Sequence, residues 1–467
     1  MITISLNADS GEPMYLQIYK YIKEEILSGR LSHPEKLPSA RALAANLQVS
    51  RSTVDNAYEQ LVAEGYIDAK EKRGFFVNPI THTQNFTRSQ EHISIPDSAL
   101  PDQEKIIYDF DPDAIDTLHF PYSVWKSIGK NQLDNPDNFK TGEHLGDYRL
   151  RLAISDYLHG SRGVNCTPDN IIVGAGLDHL LQMLCVLFER KAVIAMEDPG
   201  YRSARQLLLS NGCSVQNIPL SQGAFDVSAL KQYPADICYV TPSHQFPLGS
   251  VLSISRRQAL LDWAYEKENR YIIEDDHDSE FRYKGKPIPA LQSLDHGQRV
   301  IYIGTFSKAI SPAIRTGYMV LPAPLLSLYK KKCSSYACPV SRINQAILTD
   351  FIKDGFFEKH LNRMRKIYKG KHDYMLEQLH SHFPDGLLDI SADNAGLYII
   401  LHYHGPLTDE SIIEQAEKNG IRLRSLKGYY ANLPAAYRPA YLLGFANLEE
   451  GQIRDGIALL AEKVLIV

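Results

Sequence analysis

Residues 271–308 read YIIEDDHDSEFRYKGKPIPALQSLDHGQRVIYIGTFSK. An apolar run opens this stretch at Tyr271 and another begins at Val300, and each gives way to small or polar residues: Glu274, Asp275 and Asp276 in the first, Gly304, Thr305 and Lys308 in the second. Short apolar runs of this kind, bounded by such ends, predict strands buried on both faces of a parallel sheet. Ligands of open α/β sheets bind just beyond strand ends, which is where these polar residues fall. A lysine desolvated there can lose its proton and form a Schiff base with a carbonyl. A buried carboxylate there can keep a pyridine nitrogen protonated, which turns the ring into an electron sink.

The same grammar extends outward. IIVGAG (171–176), AVIAMEDPG (192–200) and ICYVTPS (237–243) are further strand candidates, and amphipathic stretches separate them from about Ile106 to Val467, with no internal repeat. After the first, GAGLD (174–178) opens a helix expected over 177–188. Gly174, Ala175, Gly176 and Leu177 would let backbone N–H groups approach a phosphate at that helix start. After the second, Tyr201 offers an aromatic face to a flat ring. Each piece has a plain alternative: small residues precede many helices, single lysines are usually solvated, a lone tyrosine is usually core, and Asp275 could cap a helix. Together they are more specific. An aromatic, an acid and a lysine, each following its own strand in this order, are what pyridoxal 5′-phosphate (PLP) needs.

Composition bounds the rest. At 467 residues, 44% hydrophobic and 22% charged, the chain is an ordinary globular sequence too long for one core. A net charge of −5 gives no global pull toward nucleic acid or anionic lipid. Met1 to Pro13 lacks the basic start and apolar run of a signal peptide, and no uncharged apolar stretch reaches the length of a membrane span. Six scattered cysteines without a CxxC pair predict free thiols rather than zinc ligands or disulfides, and a cytoplasmic location.

The character changes near residue 78. Asn78 to about Lys105 is rich in Pro, Ser, Thr, Asn and Gln, so the expected division is a unit at 1–77, a flexible linker at 78–105 and a second unit at 106–467. In the first unit an amphipathic helix over 15–27 precedes KLPSARALAANLQVSRSTVDNAYEQLVAEGYI (36–67). Ser39 and Ser50 are the expected N-caps of two further helices joined by a turn at Gln48-Val49. Val54, Ala57, Tyr58, Leu61 and Val62 face a core. This is a helix-turn-helix, whose second helix presents its first residues, here Arg51, Ser52 and Thr53, to DNA. Residues 65–67 and 72–77 are the expected strands of a wing with Lys72 and Arg73 at its turn. Lys36, Ser39 and Arg41 complete the expected contact set. Residues 1–80 carry nine basic and ten acidic side chains, so charge alone leaves a generic three-helix interaction module open.

LPSAR (37–41), VSRSTV (49–54), EGYI (64–67) and RGFFV (73–77) resemble the GntR family of winged helix-turn-helix regulators. TPSHQFPLG (241–249), EDDHDSEF (274–281), GTFSK (304–308) and RPAYLLGFA (438–446) resemble fold-type I aminotransferases, and the whole chain resembles the MocR subfamily of GntR regulators, which joins the two. The resemblance implies that Lys308 forms the Schiff base with PLP, Asp275 pairs with the pyridine nitrogen and Tyr201 stacks on the ring. It also implies that Arg315, Thr305 and the amides near Gly176 hold the phosphate, that His244 contacts the ring, and that Arg438 grips an effector carboxylate. Three positions depart from the family pattern. His277 stands where tyrosine is usual, and an imidazole titrates near neutrality. Leu177 replaces a hydroxyl or amide side chain beside the phosphate. Ser203 stands where the γ-aminobutyrate-responsive member has an effector arginine, which disfavours that effector.

Two functions follow. One is a homodimeric regulator that binds double-stranded DNA and senses PLP itself, or an amino acid joined to it. The other is an aminotransferase or PLP lyase with an accessory N-terminal unit. A dedicated enzyme has no need of a helix-turn-helix and wing, so regulation is the expected role and any turnover is secondary.

Overall fold

Ser39 and Ser50 start two helices by the same device. Each has an extended backbone, and its Oγ accepts the N–H three residues on, Ala42 and Thr53, at 3.2 Å in both cases. Between the helices Gln48 turns left-handed (φ 54°), which ends the first and aims the second. Replacing Ser50 with alanine should therefore cost the N-terminal unit about 1 kcal/mol, read from its urea midpoint; an unchanged midpoint would show that the cap is dispensable.

The computed structural model describes residues 4, 6, 7, 11–79, 106–285, 287–391 and 395–466, in two compact units, Met1–Pro101 and Asp102–Val467. Beyond Pro79 the expected linker lies outside the described residues. The first unit comprises α1 (Met14–Leu27), α2 (Ala40–Leu47), α3 (Arg51–Ala63) and a hairpin of β1 (Ile67–Lys70) and β2 (Gly74–Val77). Ile18, Ile22, Leu43, Val54, Ala57, Tyr58 and Leu61 are its core, and Val62 is half-buried against them. The first wing strand is Ile67–Lys70 rather than 65–67. Gly65 has φ 77° and turns the chain out of α3, so pairing begins only at Ile67. Likewise Lys72 and Arg73 belong to the turn, not to the second strand.

The second unit begins with β3 (Tyr108–Asp109), α4 (Tyr122–Leu133) and α5 (Tyr148–Arg162). Then follow β4 (Ile171–Gly174), α6 (Leu177–Leu187), β5 (Val193–Asp198), α7 (Arg202–Ser210), β6 (Ser214–Ser221), β7 (Ala224–Phe225) and β8 (Ile237–Val240). β9 (Tyr271–Asp276), β10 (Val300–Thr305) and β11 (Gly317–Val320) complete an eight-stranded sheet ordered β4-β11-β10-β9-β8-β5-β6-β7. Strands β10, β9, β8, β5 and β6 are parallel neighbours. β11 is antiparallel to both β10 and β4, so the five strands expected from the sequence share one direction but β4 is separated from the rest. The apolar run of each strand feeds two cores. Ile194 and Met196 pack with Leu180, Ile303 and Met319 on one face, and Ala195 with Val240, Trp263 and Ile272 on the other. Burial on both faces is why these strands read as continuous runs rather than alternating ones.

A second, antiparallel sheet is built late in the chain from β12 (Leu388–Ser391), β13 (Tyr398–Tyr403), β15 (Arg424–Ser425) and β16 (Ala440–Gly444), ordered β12-β13-β16-β15. Its neighbour β14 (Ile421–Arg422) pairs in parallel with β3. Among the described residues no helix is long and apolar enough to cross a membrane, and the six cysteines are free.

Candidate functional site

Side chains alternate across a strand, so the acidic end of β9 divides its tasks. Glu274, fully buried, accepts the N–H groups of Leu291 (2.7 Å) and Gln292 (2.8 Å) and caps the short turn there. Asp276 Oδ2 accepts Arg162 Nε at 2.8 Å and the Tyr302 hydroxyl at 2.5 Å, a buried ion pair reinforced by a neutral donor. Between them Asp275, and beyond them His277, line a cavity of about 280 Å³. Capping therefore belongs to Glu274, and the ligand-facing acid is Asp275. Burial pushes its carboxyl above the ordinary value, and the Tyr239 hydroxyl donates to it.

The next strand supplies the lysine. Thr305 ends β10, and residues 306–316 form the loop of a hairpin whose strands meet at Thr305 and Gly317, with Phe306 N–H donating to Thr316 O at 3.0 Å. Thr305, Ser307, Lys308 and Arg315 all line the cavity from this loop. Lys308 Nζ donates to the Pro112 carbonyl (2.8 Å) and to Asp113 Oδ1 (3.1 Å). Arg315, left-handed at φ 47°, donates to the Ala175 carbonyl at 3.2 Å and lies 3.4 Å from Asp178. Gly176 has φ 84° and starts α6; a Cβ there would lie 3.2 Å from Arg315 Nη2. Its bare backbone and the guanidinium together face one space, the arrangement that suits an anion at a helix start.

The walls are aromatic and imidazole. Tyr201 precedes α7 and meets Phe246 edge-on at 5.5 Å, and burial, with the charges of Asp113 and Asp275, pushes its phenol up to about 12. His277 stacks on His244 at 5.7 Å. His244 is buried behind it, with Nδ1 2.9 Å from Asp278. Burial alone would raise the Asp278 carboxyl, but His244 and His277, and then Lys308, outweigh it and hold it well below its ordinary value.

The structure thus brings Leu177, Tyr201, Asp275, His277, Thr305, Lys308 and Arg315 to one cavity. Gly176 stands beside Arg315, and the other expected residues are not among those that line it. Gly174 is a packing position, since a Cβ would fall 2.5 Å from Leu180. Ala175 contributes its carbonyl to Arg315. His244 orients Asp278 rather than lining the wall. Arg438 is exposed and its Nη1 meets His404 Nδ1 at 3.1 Å. Asp113, Asp178, Thr241, Phe246, Ser307 and Pro312 also line it and were not singled out. The hydroxyl of Ser307 inside GTFSK and the acid of GAGLD were legible; Asp113, distant in sequence from every motif, was not.

In the N-terminal unit Lys36, Ser39, Arg41, Arg51, Ser52, Lys72 and Arg73 are exposed and Thr53 is half-buried. Arg51 opens α3 with Nε 3.3 Å from Asp55. Lys36, Lys70 and Arg73 gather over the Phe76 ring at 5.8, 5.1 and 5.9 Å, which adds Lys70 to the basic surface of the wing.

The cavity fits PLP. It presents a single amine among its lining residues, a buried carboxylate, an aromatic wall and a guanidinium beside a glycine backbone, with the His277 imidazole, 3.3 Å from Asp278, on the same wall. Residues 114–438 match the class I and II aminotransferase family, and residues 14–77 match the gntR family of bacterial regulatory proteins. The chain belongs to the MocR subfamily of GntR regulators. Among MocR-type relatives it is 40% identical to the HTH-type transcriptional regulator YdeL of Bacillus subtilis, over 98% of both chains. It is 32% identical to the probable rhizopine catabolism regulatory protein MocR of Rhizobium meliloti (97% of this chain, 94% of that one). It is 29% identical to the pyridoxine biosynthesis regulator PdxR of Corynebacterium glutamicum (99% and 98%). A Pyrococcus horikoshii kynurenine aminotransferase superposes with a TM-score of 0.68 at 26% identity, covering 77% of this chain and 90% of that one. A MocR-type chain therefore pairs a GntR helix-turn-helix with a fold-type I aminotransferase domain, and PLP binding is implied by that fold.

Proposed function

We propose that this chain is a cytoplasmic, homodimeric transcription regulator whose signal is PLP itself. Residues 1–77 bind double-stranded DNA, 78–105 link, and 106–467 form the effector domain. The observation that supports PLP over an amino acid is the inventory of cations in the cavity. Lys308 and Arg315 are the lysine and arginine among the lining residues, both suit groups of the cofactor, and Arg438, the expected carboxylate grip, is engaged with His404. An amino-acid carboxylate would enter without the bidentate guanidinium that makes such recognition strong. The relative that regulates pyridoxine biosynthesis agrees with this choice.

PLP, when bound, supplies an aldehyde and an electron-withdrawing ring. Lys308 offers its nitrogen to the aldehyde. Asp275, already desolvated, keeps a proton at the ring nitrogen. Arg315, Thr305 and Ser307 with the amides that open α6 would hold the phosphate, Tyr201 would cover the ring, and the His277 imidazole would stand on the side of the phenolic oxygen. Self-association has its own support. Among the described residues, seven of the sixteen exposed large apolar residues fall within 107–152: Ile107, Leu118, Tyr122, Leu133, Phe139, Tyr148 and Leu152. That concentration along the chain supports self-association.

The test is the affinity of the purified full-length protein for DNA upstream of its own gene, at fixed salt, with and without PLP. A coupling of about 1–3 kcal/mol, or a roughly 5- to 150-fold change in affinity, is expected. Equal affinity in both conditions would make PLP a fixed prosthetic group and return the signal to amino acids. DNA binding that PLP leaves alone and an amino acid shifts would decide for that second effector.

A further inference from the structure

We infer that Asp113 and the Pro112 carbonyl form a latch on Lys308 that the cofactor releases, and that this release is how the cavity reports to the segment leading toward the DNA-binding unit. The inference rests on the reading of the cavity as a PLP site.

Lys308 Nζ is committed to two acceptors, the Pro112 carbonyl at 2.8 Å and Asp113 Oδ1 at 3.1 Å. A lysine ammonium has three N–H donors to spend on them. Joining the aldehyde makes a carbon–nitrogen double bond at that atom and breaks the aldehyde C=O. The oxygen leaves as water with two of the nitrogen's hydrogens, and at most one stays. One N–H, held in the plane of the new double bond, cannot serve both Pro112 and Asp113 as the ammonium does. Asp113 lines the same cavity, so it also stands where the incoming aldehyde must approach.

What Asp113 is attached to gives the release a direction. Residues 108–111 are held by β14, in a two-stranded sheet of their own, and by β16 of the second sheet. β3 pairs with β14, Arg422 Nη1 holds Asp109 at 2.6 Å, and Gly444 N–H donates to Phe110 O at 3.0 Å. Gly444 must be glycine, because a Cβ would fall 2.1 Å from the Asp111 carbonyl. Lys308 comes instead from the loop after β10 of the first sheet. The Lys308 contact therefore ties the two sheets of this unit across the cavity, through a segment that continues in sequence, upstream of Ile106, into the expected linker. Opening the contact releases the Lys308 loop from this segment, so that residues 108–111 and the strands they are clamped to can shift together against the first sheet and carry the start of the linker with them.

The experiment uses full-length protein, wild type and Asp113→Asn, which keeps the shape and removes the charge. PLP is titrated by the visible absorbance of its lysine-linked form, and DNA affinity is measured without and with PLP. In Asp113→Asn the PLP midpoint should fall about two- to fivefold, the range of a partly exposed ion pair. Its PLP-free DNA affinity should move toward the wild type's PLP-bound value, and Asp113→Glu should restore both. In the wild type, amide hydrogen exchange at Asp113 and Ala114 should quicken when PLP is added. An unchanged PLP midpoint in Asp113→Asn, a DNA response as large as the wild type's, or unchanged exchange overturns the latch. Absence of the lysine-linked band in the wild type would instead overturn the reading of the cavity, so the two failures are told apart.

Discussion

Lys308→Ala is expected to abolish the visible absorbance of lysine-linked PLP and, with it, the effect of PLP on DNA binding, while the protein stays folded. Lys308 is the primary amine among the residues that line the cavity, so no neighbour can take over the bond to the aldehyde. The fold should tolerate the change. The side chain's ion pair is with Asp113, whose side chain is 56% exposed, and such a pair contributes about 0–1 kcal/mol. Arg315 and Asp275 remain to hold the phosphate and the ring nitrogen, so PLP should still bind, more weakly, with the spectrum of a free aldehyde. Absorbance of dialysed protein separates the cases, and circular dichroism checks the fold. An unchanged band would remove Lys308 from the site and the PLP reading with it.

Arg51→Ala is expected to weaken specific DNA binding by about 1–3 kcal/mol if the side chain reads a base, and by less, with a salt slope lower by about 1, if it meets a phosphate. The position carries the argument. Arg51 is the first residue of the second helix of the helix-turn-helix, its side chain is exposed, and Ser50 fixes the direction in which the helix starts. Its 3.3 Å contact with Asp55 is within one exposed helix turn, worth a few tenths of a kcal/mol, and does not compete seriously with a DNA contact. Titrations at several salt concentrations measure both quantities. If neither the affinity nor its salt dependence changes, α3 is not the reading helix.

Much of this was legible because local rules suffice for it. Ser39 and Ser50 are read as caps from residue type and spacing, and both are caps. The apolar runs ending in Gly174, Asp198, Val240, Asp276 and Thr305 are strands because burial on both faces leaves no polar alternation to confuse them. Asp275 and Lys308 were legible because they follow such runs. What escaped depends on contacts distant in sequence. β11 is a short run whose place between β10 and β4 follows from a hairpin, not from its own pattern. Asp113 meets Lys308 across 195 residues. Arg438 and His244 sit in recognisable motifs whose partners are not legible. The first points to His404 at the surface and the second to Asp278 behind the wall. A motif places a residue in the chain; packing decides which way its side chain turns.

The hairpin loop between Thr305 and Gly317 carries a last consequence. Lys308 and Arg315 both stand on it, and the register of the two strands pins its ends. The distance between the grip on one end of the cofactor and the grip on the other is therefore set by a single stretch of backbone, like the jaws of a caliper on one bar. Variation in the rest of the cavity can retune affinity one contact at a time. A residue gained or lost within 306–316 would misgauge both jaws together, whereas a change in the other walls alters one contact and leaves the gauge alone.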